Sequence, residues 1–212
     1  MQIDVPSFIG AVVREVRDAE RDGQPVRVVV ATRSYDTDVD DLWDAITSAE
    51  RIPRWFLPIT GDLKLGGRYQ LVGNAGGTIT DCEPPRRLGV TWEFGGQTTW
   101  VNVALAAEGA GTRLELEHSA PVADVDPFWD QFGPGAVGVG WDLTLMGMAL
   151  HLAGGGAPVD PSAVAAWSAS DEGKAYIAQS SDGWRLASIA YGTPEAAANA
   201  AAAETTKFYT GG

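Results

Sequence analysis

Five short segments between residues 66 and 121 alternate apolar and polar side chains, and a long apolar stretch follows them. Alternation with a period of two predicts strands that bury only one face, and the glycines and prolines between the segments predict short connections. The segments read GGRYQLVGN, GGTITDCE, RRLGVTWEFGG, TTWVNVALAAEG and GTRLELEHSAP. This pattern restricts the chain to an antiparallel meander whose apolar face must be covered by another element.

Strand parity predicts which side chains lie on the apolar face of this sheet. The residues assigned to that face are Leu88, Val90, Trp92 and Phe94 in the third segment and Leu114, Leu116 and His118 in the fifth. Trp100 has the parity of Asn102 and is expected on the opposite face. His118 is therefore an ionisable side chain that we expect to point toward the covering element.

The stretch from Phe132 to Gly156 supplies that element, because Asp142 and His151 are its only ionisable residues. Its length would suit a membrane span, but Asp142 would then lie near the bilayer centre at a cost of roughly 2.5–3.5 kcal/mol. Aspartates rather than basic residues flank the stretch. The sequence thus predicts a buried helix of a soluble protein, with no membrane partner. A buried carboxylate needs partners, so Asp142 is expected to bind an arginine, an indole N–H, a hydroxyl or His118.

Gly133, Gly135 and Gly138 begin this stretch with the spacing G-x-G-x-x-G of dinucleotide-binding proteins. That motif requires a buried strand before the first glycine and a β-α-β alternation around it. The preceding residues, DVDPFWDQF, contain a proline and three aspartates and do not resemble such a strand. We therefore expect no nucleotide cofactor, and we interpret the glycines as points of close backbone approach on the long helix.

Four stretches resemble the activator of heat-shock-protein-90 ATPase homologue family, over about residues 27–153. They read RWFLPITGDLKLGGRYQLVGNAGGTI, VTWEFGG, RLELEHSAP and FGPGAVGVGWDLTLMGMALHL. The resemblance places the chain in the START-like (SRPBCC) superfamily. It implies an α+β helix-grip fold, in which a curved antiparallel sheet wraps around a long C-terminal helix and a cavity lies between them. It does not imply one particular reaction.

Flanking segments divide the chain into three predicted parts. Residues 1–25 are predicted to form an amphipathic helix with an apolar stripe from Phe8 to Val16. Residues 26–153 form the helix-grip domain. Residues 154–212 are rich in alanine and predict a helical extension packed on the same domain.

The long helix carries large apolar side chains on two opposite faces, and the sheet can cover only one of them. We expect the C-terminal helices to cover the other, with Trp184, Tyr191 and Phe208 as anchors. The N-terminal amphipathic helix and a second subunit, giving a homodimer, remain alternatives.

The predicted cavity is lined from both sides. The residues assigned to it are Leu88, Trp92, Leu116, His118, Trp141 and Leu145, with Trp55 or Phe56 near its mouth. His118 could bind a ligand or act as a general base. It could equally be a core histidine bonded to a backbone carbonyl or to Asp142.

Composition limits the partners. The 28 acidic and 15 basic side chains give a net charge of −13, which disfavours nucleic acid and anionic membranes. Two histidines and one cysteine are too few for a His/Cys metal site, so no metal is expected. The single Cys82 and the lack of a signal-peptide pattern favour the cytoplasm.

Three functions remain from the sequence. The first is binding of a small, largely apolar or aromatic molecule in the cavity, without a cofactor. The second is an enzyme in the same cavity, such as a cyclase, hydrolase or dehydratase, with His118 as the base. The third is a cochaperone that stimulates a heat-shock-protein-90-type ATPase, and the family resemblance alone suggests it.

Overall fold

The computed structural model describes residues 3–211, apart from the side chains of residues 125 and 126. These residues form two compact units, each built from separate stretches of the chain. The first unit contains the residues up to Ala31, then Pro121–Leu143, and then those from Asp160 onward. The second contains Thr32–Ala120 and Thr144–Val159.

The described residues contain eight strands and seven α-helices. The strands are β1 (Val12–Arg21), β2 (Gln24–Tyr35), β3 (Ile59–Gly61), β4 (Arg68–Leu71), β5 (Gly76–Glu83), β6 (Arg87–Phe94), β7 (Gln97–Glu108) and β8 (Gly111–Pro121). The helices are α1 (Val5–Gly10), α2 (Val39–Thr47), α3 (Val122–Phe132), α4 (Gly135–Ala153), α5 (Pro161–Ala169), α6 (Asp171–Tyr191) and α7 (Glu195–Thr210).

The strands form one antiparallel sheet in the order β1-β2-β8-β7-β6-β5-β4-β3. The five alternating segments of the sequence correspond to β4–β8, which pair as consecutive hairpins because short turns separate them. Three of these turns contain glycine, and Pro84-Pro85-Arg86 connects β5 to β6. Helix α4 follows the sheet in the chain. The predicted α+β helix-grip fold, a curved antiparallel sheet with a long C-terminal helix and additional helices, is confirmed.

The amphipathic helix predicted within residues 1–25 is wrong beyond its first turns. Helix α1 ends at Gly10, and the chain continues as strand β1. Val12 and Val16 are both buried, and their spacing of four residues places them on one side of either a helix or a strand. The turn at Asp22 and Gly23, with φ of 51° and 77°, decides between the two, because it returns the chain as β2.

The first unit is a helical assembly in which α6 packs against β1, α1, α5 and α7, and α3 packs against α7. Its core contains fully buried Trp184, Tyr176 and Val139. Of the glycines in the G-x-G-x-x-G spacing, Gly133 ends α3, and Gly135 and Gly138 lie in the part of α4 that belongs to this unit. A Cβ atom on Gly135 would lie 2.9 Å from Thr205 Cγ2, so the missing side chain lets α7 approach closely.

The second unit contains β3–β8 and the last part of α4. Leu114 and Leu116 of β8, Leu145 and Met148 of α4, and Tyr35 of β2 are buried. The Tyr35 hydroxyl donates to the Leu145 carbonyl at 3.1 Å and so ties the end of β2 to the helix.

Helix α4 is the one described helix that is long and apolar enough to cross a membrane by length and composition. Core helices of soluble proteins pass the same test. Asp142, in its middle, is fully buried and forms an ion pair with Arg14 within the first unit.

Candidate functional site

The strand pairing in the second unit determines which side chains share the inner face of the sheet. Trp92 of β6 lies opposite Thr99 of β7, and Val101 of β7 lies opposite His118 of β8. Cross-strand neighbours share a face, so Trp92, Thr99 and His118 lie on the same side of the sheet. The parity predicted for Trp92 and His118 therefore places them together, and their rings lie 6.0 Å apart in an edge-to-face arrangement.

A hydrogen-bonded pair forms the polar centre of this face. His118 Nε2 lies 2.7 Å from Thr99 Oγ1, and the Thr99 hydroxyl donates to the Trp92 carbonyl at 3.2 Å. A hydroxyl has a single proton to donate. With that proton on the Trp92 carbonyl, His118 donates from Nε2 to Thr99, and Nδ1 is the acceptor of the neutral ring.

The protonation state of His118 follows from its surroundings. Burial lowers the pKa of His118 from 6.5 to about 4, because the charged imidazolium loses solvation there. The ring is therefore neutral near pH 7. Part of the residue nevertheless remains accessible.

Apolar side chains flank this pair. Leu88, Val90 and Trp92 pack against a cluster of buried Tyr69, Leu71 and Ile79, and Phe56 also packs against that cluster. Leu88, Trp92 and Phe56 keep partial exposure, whereas Leu116 and Leu145 are 5% and 2% exposed. Of the residues assigned to the cavity, the structure thus presents surface from the first three and from His118, and it packs Leu116 and Leu145 tightly.

Trp55 is held in place by its own contacts. Its indole N–H donates to the Ala45 carbonyl at 3.0 Å, and its ring stacks on Phe56 at 5.7 Å. A Cβ atom on Gly147 would lie 2.7 Å from the Trp55 carbonyl oxygen, so this glycine lets α4 approach the backbone of Trp55. Trp141 belongs to the first unit and is buried there. The roles of these tryptophans in ligand binding stay predictions.

Thr99 was not among the sequence-predicted site residues, although the sequence contains the signal for it. The Gly95-Gly96 turn sets Phe94 opposite Gln97, and counting two residues away from the turn on each strand pairs Trp92 with Thr99. This register brings the Thr99 hydroxyl within hydrogen-bonding distance of His118.

The buried carboxylate of Asp142 forms a second polar cluster, within the first unit. Its Oδ2 accepts from Arg14 Nε at 2.9 Å, from the Ser180 hydroxyl at 2.5 Å and from Trp184 Nε1 at 3.2 Å. The predicted partners of Asp142, an arginine, an indole and a hydroxyl, are confirmed. Burial raises the pKa of Asp142, and the Arg14 charge and the two other donors oppose that shift. This cluster is enclosed and has the character of a structural network.

His151 lies apart from the His118 pair, in the last turn of α4. It is fully buried, and its Nδ1 lies 2.8 Å from the Ala157 carbonyl oxygen. Within residues 3–211 no group of three or more His, Cys, Asp and Glu side chains is arranged to hold a metal ion. What the second unit offers chemically is a neutral imidazole and a hydroxyl in apolar surroundings.

The sheet, the long helix and this inner-face site define the class: the protein is a START-like helix-grip domain of the SRPBCC superfamily. The model of the family described as activator of Hsp90 ATPase homolog 1-like protein matches residues 36–153, more than half of the chain. The chain therefore belongs to this family, and the resemblance inferred from the sequence is confirmed.

Solved structures agree with this assignment. The crystal structure of CalU16 from Micromonospora echinospora is 31% identical, covers 84% of this chain and 98% of its own, and gives a TM-score of 0.67. The solution structure of CalU16 is 32% identical, covers 85% of this chain and 97% of its own, and gives a TM-score of 0.69. MLL2253 from Mesorhizobium loti, at 22% identity, 60% and 97% coverage and a TM-score of 0.53, supports the fold alone. No curated protein matches the sequence.

Proposed function

We propose that this protein binds a small, largely apolar or aromatic molecule in the cytoplasm. The site lies in the second unit, between the inner face of β5–β8 and the last part of α4. Trp92 and Leu88 provide apolar contact area, and the His118–Thr99 pair provides a polar group that orients the ligand. No cofactor takes part in binding.

The side chains at the candidate site are the main support for ligand binding. Small-molecule sites are concave, mostly apolar and contain a few well-placed polar groups. Here Leu88 and Trp92 of β6 are large apolar side chains that remain partly exposed, and Phe56 packs with them against Tyr69, Leu71 and Ile79. Trp92 lies edge-to-face with one neutral imidazole, that of His118, whose pKa of about 4 makes it a hydrogen-bonding group rather than a charge at pH 7.

The charge state of His118 and the net charge of the protein indicate which ligands the site would bind. A neutral His118 does not attract an anion, and the net charge of −13 repels one at longer range. An uncharged ring compound with a carbonyl or hydroxyl group satisfies both the apolar lining and the hydrogen-bonding pair. The same low pKa makes His118 a weak general base near neutral pH, which favours binding over catalysis.

Thermal unfolding with uncharged ring compounds tests the proposal. Suitable probes are 2-naphthol and 9,10-anthraquinone, with naphthalene-2-sulfonate as the charged counterpart. A binder raises the melting temperature with increasing concentration, because it stabilises only the folded state. We expect the uncharged probes to raise it and the sulfonate to have little effect. Native mass spectrometry of the protein from its own host gives the mass of any retained ligand.

Two variants on the same strand control for nonspecific binding. Trp92→Ala removes lining surface, whereas Phe94→Ala truncates a side chain that is 59% exposed at the end of β6. We expect the first to abolish the ligand-induced shift and the second to preserve it. Equal shifts in both variants, or a crystal structure in which protein side chains fill the space around Trp92 and His118, would contradict the proposal.

Stimulation of an Hsp90-type ATPase is a second candidate, because the matching family model carries that description. Its test is a steady-state ATPase assay of the chaperone with and without this protein. An unchanged rate at saturating protein removes this function and leaves the ligand-binding proposal intact.

A further inference from the structure

A row of aromatic side chains crosses from α3 to α7 in the first unit. Phe128 and Phe132 of α3 stack with their ring centroids 6.4 Å apart, and Phe132 and Phe208 lie 5.7 Å apart. Phe208 and Tyr209 of α7 continue the row at 5.2 Å. We call these four residues the aromatic row.

Two members of the row, one on each helix, face solvent. Phe128 is 59% exposed and Phe208 is 66% exposed. Hydrogen bonds beside the row hold the helices in place, because Tyr209 donates its hydroxyl to the Ala136 carbonyl at 2.9 Å and Thr205 donates to the Phe132 carbonyl at 2.8 Å. The two exposed rings are therefore presented on a fixed support. Exposed aromatic residues on a rigid surface are typical of binding interfaces.

Acidic residues accompany the exposed rings on both helices. Asp124 precedes Phe128 by four residues and Glu204 precedes Phe208 by four, so each carboxylate lies one helical turn from its ring on the same side. Helix α3 contains no basic residue, and Lys207 is the only one in α7. Arg27 lies over the Trp129 ring of α3 at 4.5 Å, and Lys207 precedes Phe208, so the basic groups beside the row are few. The row is thus an apolar strip with a carboxylate one turn before each exposed ring.

We propose that the aromatic row is a docking surface for an amphipathic helix with basic flanks, contributed by a partner protein. An apolar helix face would cover Phe128 and Phe208, and lysine or arginine beside it would meet Asp124 and Glu204. A second copy of this chain would bring like charges together, and an anionic membrane would be repelled. Charge complementarity selects the basic helix, and this surface is separate in function from the ligand site in the second unit.

The test uses a fluorescent peptide of about 18 residues with leucine on one helical face and lysine on the other, long enough to form a helix on binding. A scrambled peptide of identical composition controls for attraction by net charge alone. A third peptide, with glutamate in place of lysine, reverses the charge. We expect fluorescence anisotropy to detect binding of the first peptide only, weakening as salt is added.

Matched variants locate the binding surface. Phe128→Ser with Phe208→Ser should weaken binding about tenfold or more, in line with the loss of central aromatic contacts. Phe94→Ser, a phenylalanine of similar exposure in the second unit, should leave binding unchanged. Glu204→Gln should weaken binding and reduce its salt dependence, whereas Glu50→Gln, an exposed glutamate in the second unit, should do neither. Circular dichroism and melting temperature verify that each variant is folded.

Several results would overturn the proposal. These are equal binding of the scrambled or glutamate peptide, no binding of the amphipathic lysine peptide, and an equal loss of affinity in Phe94→Ser. Binding to phosphatidylcholine vesicles that depends on Phe128 and Phe208 would assign the row to a membrane instead. A dimer in sedimentation experiments that the double variant dissociates would assign it to self-association.

Discussion

The indole ring of Trp184 occupies the space in which any residue other than glycine at position 138 would place its side chain. A Cβ atom on Gly138 would lie 2.5 Å from Trp184 Nε1, and the same nitrogen donates to Asp142 one turn further along α4. Gly138 therefore serves to seat this tryptophan. The G-x-G-x-x-G spacing has a packing explanation within the first unit.

Replacing Gly138 by alanine should destabilise the protein by about 1–3 kcal/mol, because a fully buried indole cannot move away without strain. Urea unfolding followed by tryptophan fluorescence measures the change. Gly10→Ala is the control, since a Cβ atom there meets nothing within 4 Å. A Gly138→Ala variant as stable as the wild type would show that Trp184 has room to shift.

Removing the arginine partner of Asp142 should be more costly. Arg14→Met leaves a buried carboxylate without its counter-charge, and breaking such a pair costs about 3–5 kcal/mol. Adding Asp142→Leu should recover part of that loss, because no charge is then left buried. The wild type, Arg14→Met, Asp142→Leu and the double variant form a double-mutant cycle that is measured by urea unfolding. Additive losses would contradict a direct interaction.

The pH dependence of the Arg14→Met variant gives an independent check. Burial already raises the pKa of Asp142, and loss of the Arg14 charge should raise it further. A protonated Asp142 needs no counter-charge. The difference in unfolding free energy between wild type and variant should therefore shrink as pH falls. A constant difference from pH 7 to pH 4 would contradict this account.

The sequence predicted the sheet because its pattern is local and has a period of two. The parity of Trp92 and His118 could be counted along each strand, and the hairpin glycines fixed the register between strands. The same local reasoning failed at β1. Val12 and Val16 satisfy both helical and strand spacing, and only pairing with β2 makes the segment a strand.

The partners of Asp142 were predictable by type but not by identity. A buried carboxylate requires donors, and here they come from β1 and α6 rather than from α4 itself. Arg14 lies 128 residues before Asp142, and Ser180 lies 38 residues after it. Such contacts depend on how the helices pack and leave no periodic trace in the sequence. The burial of the expected anchor residues likewise could not be predicted from the sequence alone. Trp184 is fully buried, whereas Phe208 is 66% exposed.

His118 should make the folded protein sensitive to acid. Its pKa is about 4 in the folded state and 6.5 when unfolded, so the unfolded state binds more protons between these values. The contribution of His118 is fully present above pH 6.5 and is lost as pH falls toward 4, at most about 3 kcal/mol in total. Unfolding free energies measured by urea at half-unit pH intervals follow this loss.

His118→Gln isolates that contribution, because glutamine can hydrogen-bond to Thr99 without titrating. We expect the variant to lose less stability than the wild type between pH 6.5 and pH 4. Parallel curves for the two proteins would mean that His118 keeps its ordinary pKa. If a substrate is found, unchanged turnover by the same variant removes His118 as a base.

Residues 154–212 are proposed to be an integral part of the fold, and truncation tests this. Within the first unit, Trp184 and Ser180 of α6 bind Asp142, and Tyr209 of α7 binds the carbonyl of Ala136. A chain ending at Gly155 loses these contacts, and the glycine-rich side of α4 and the carboxylate of Asp142 become exposed. We expect such a chain to aggregate or to form a dimer that the full chain does not form, as measured by sedimentation velocity. A chain ending at Gly192 keeps α6 and should be less affected, because Asp142 retains its donors. A truncated chain that ends at Gly155 and remains monomeric, soluble and as stable as the full protein would show that residues 154–212 are a dispensable appendage.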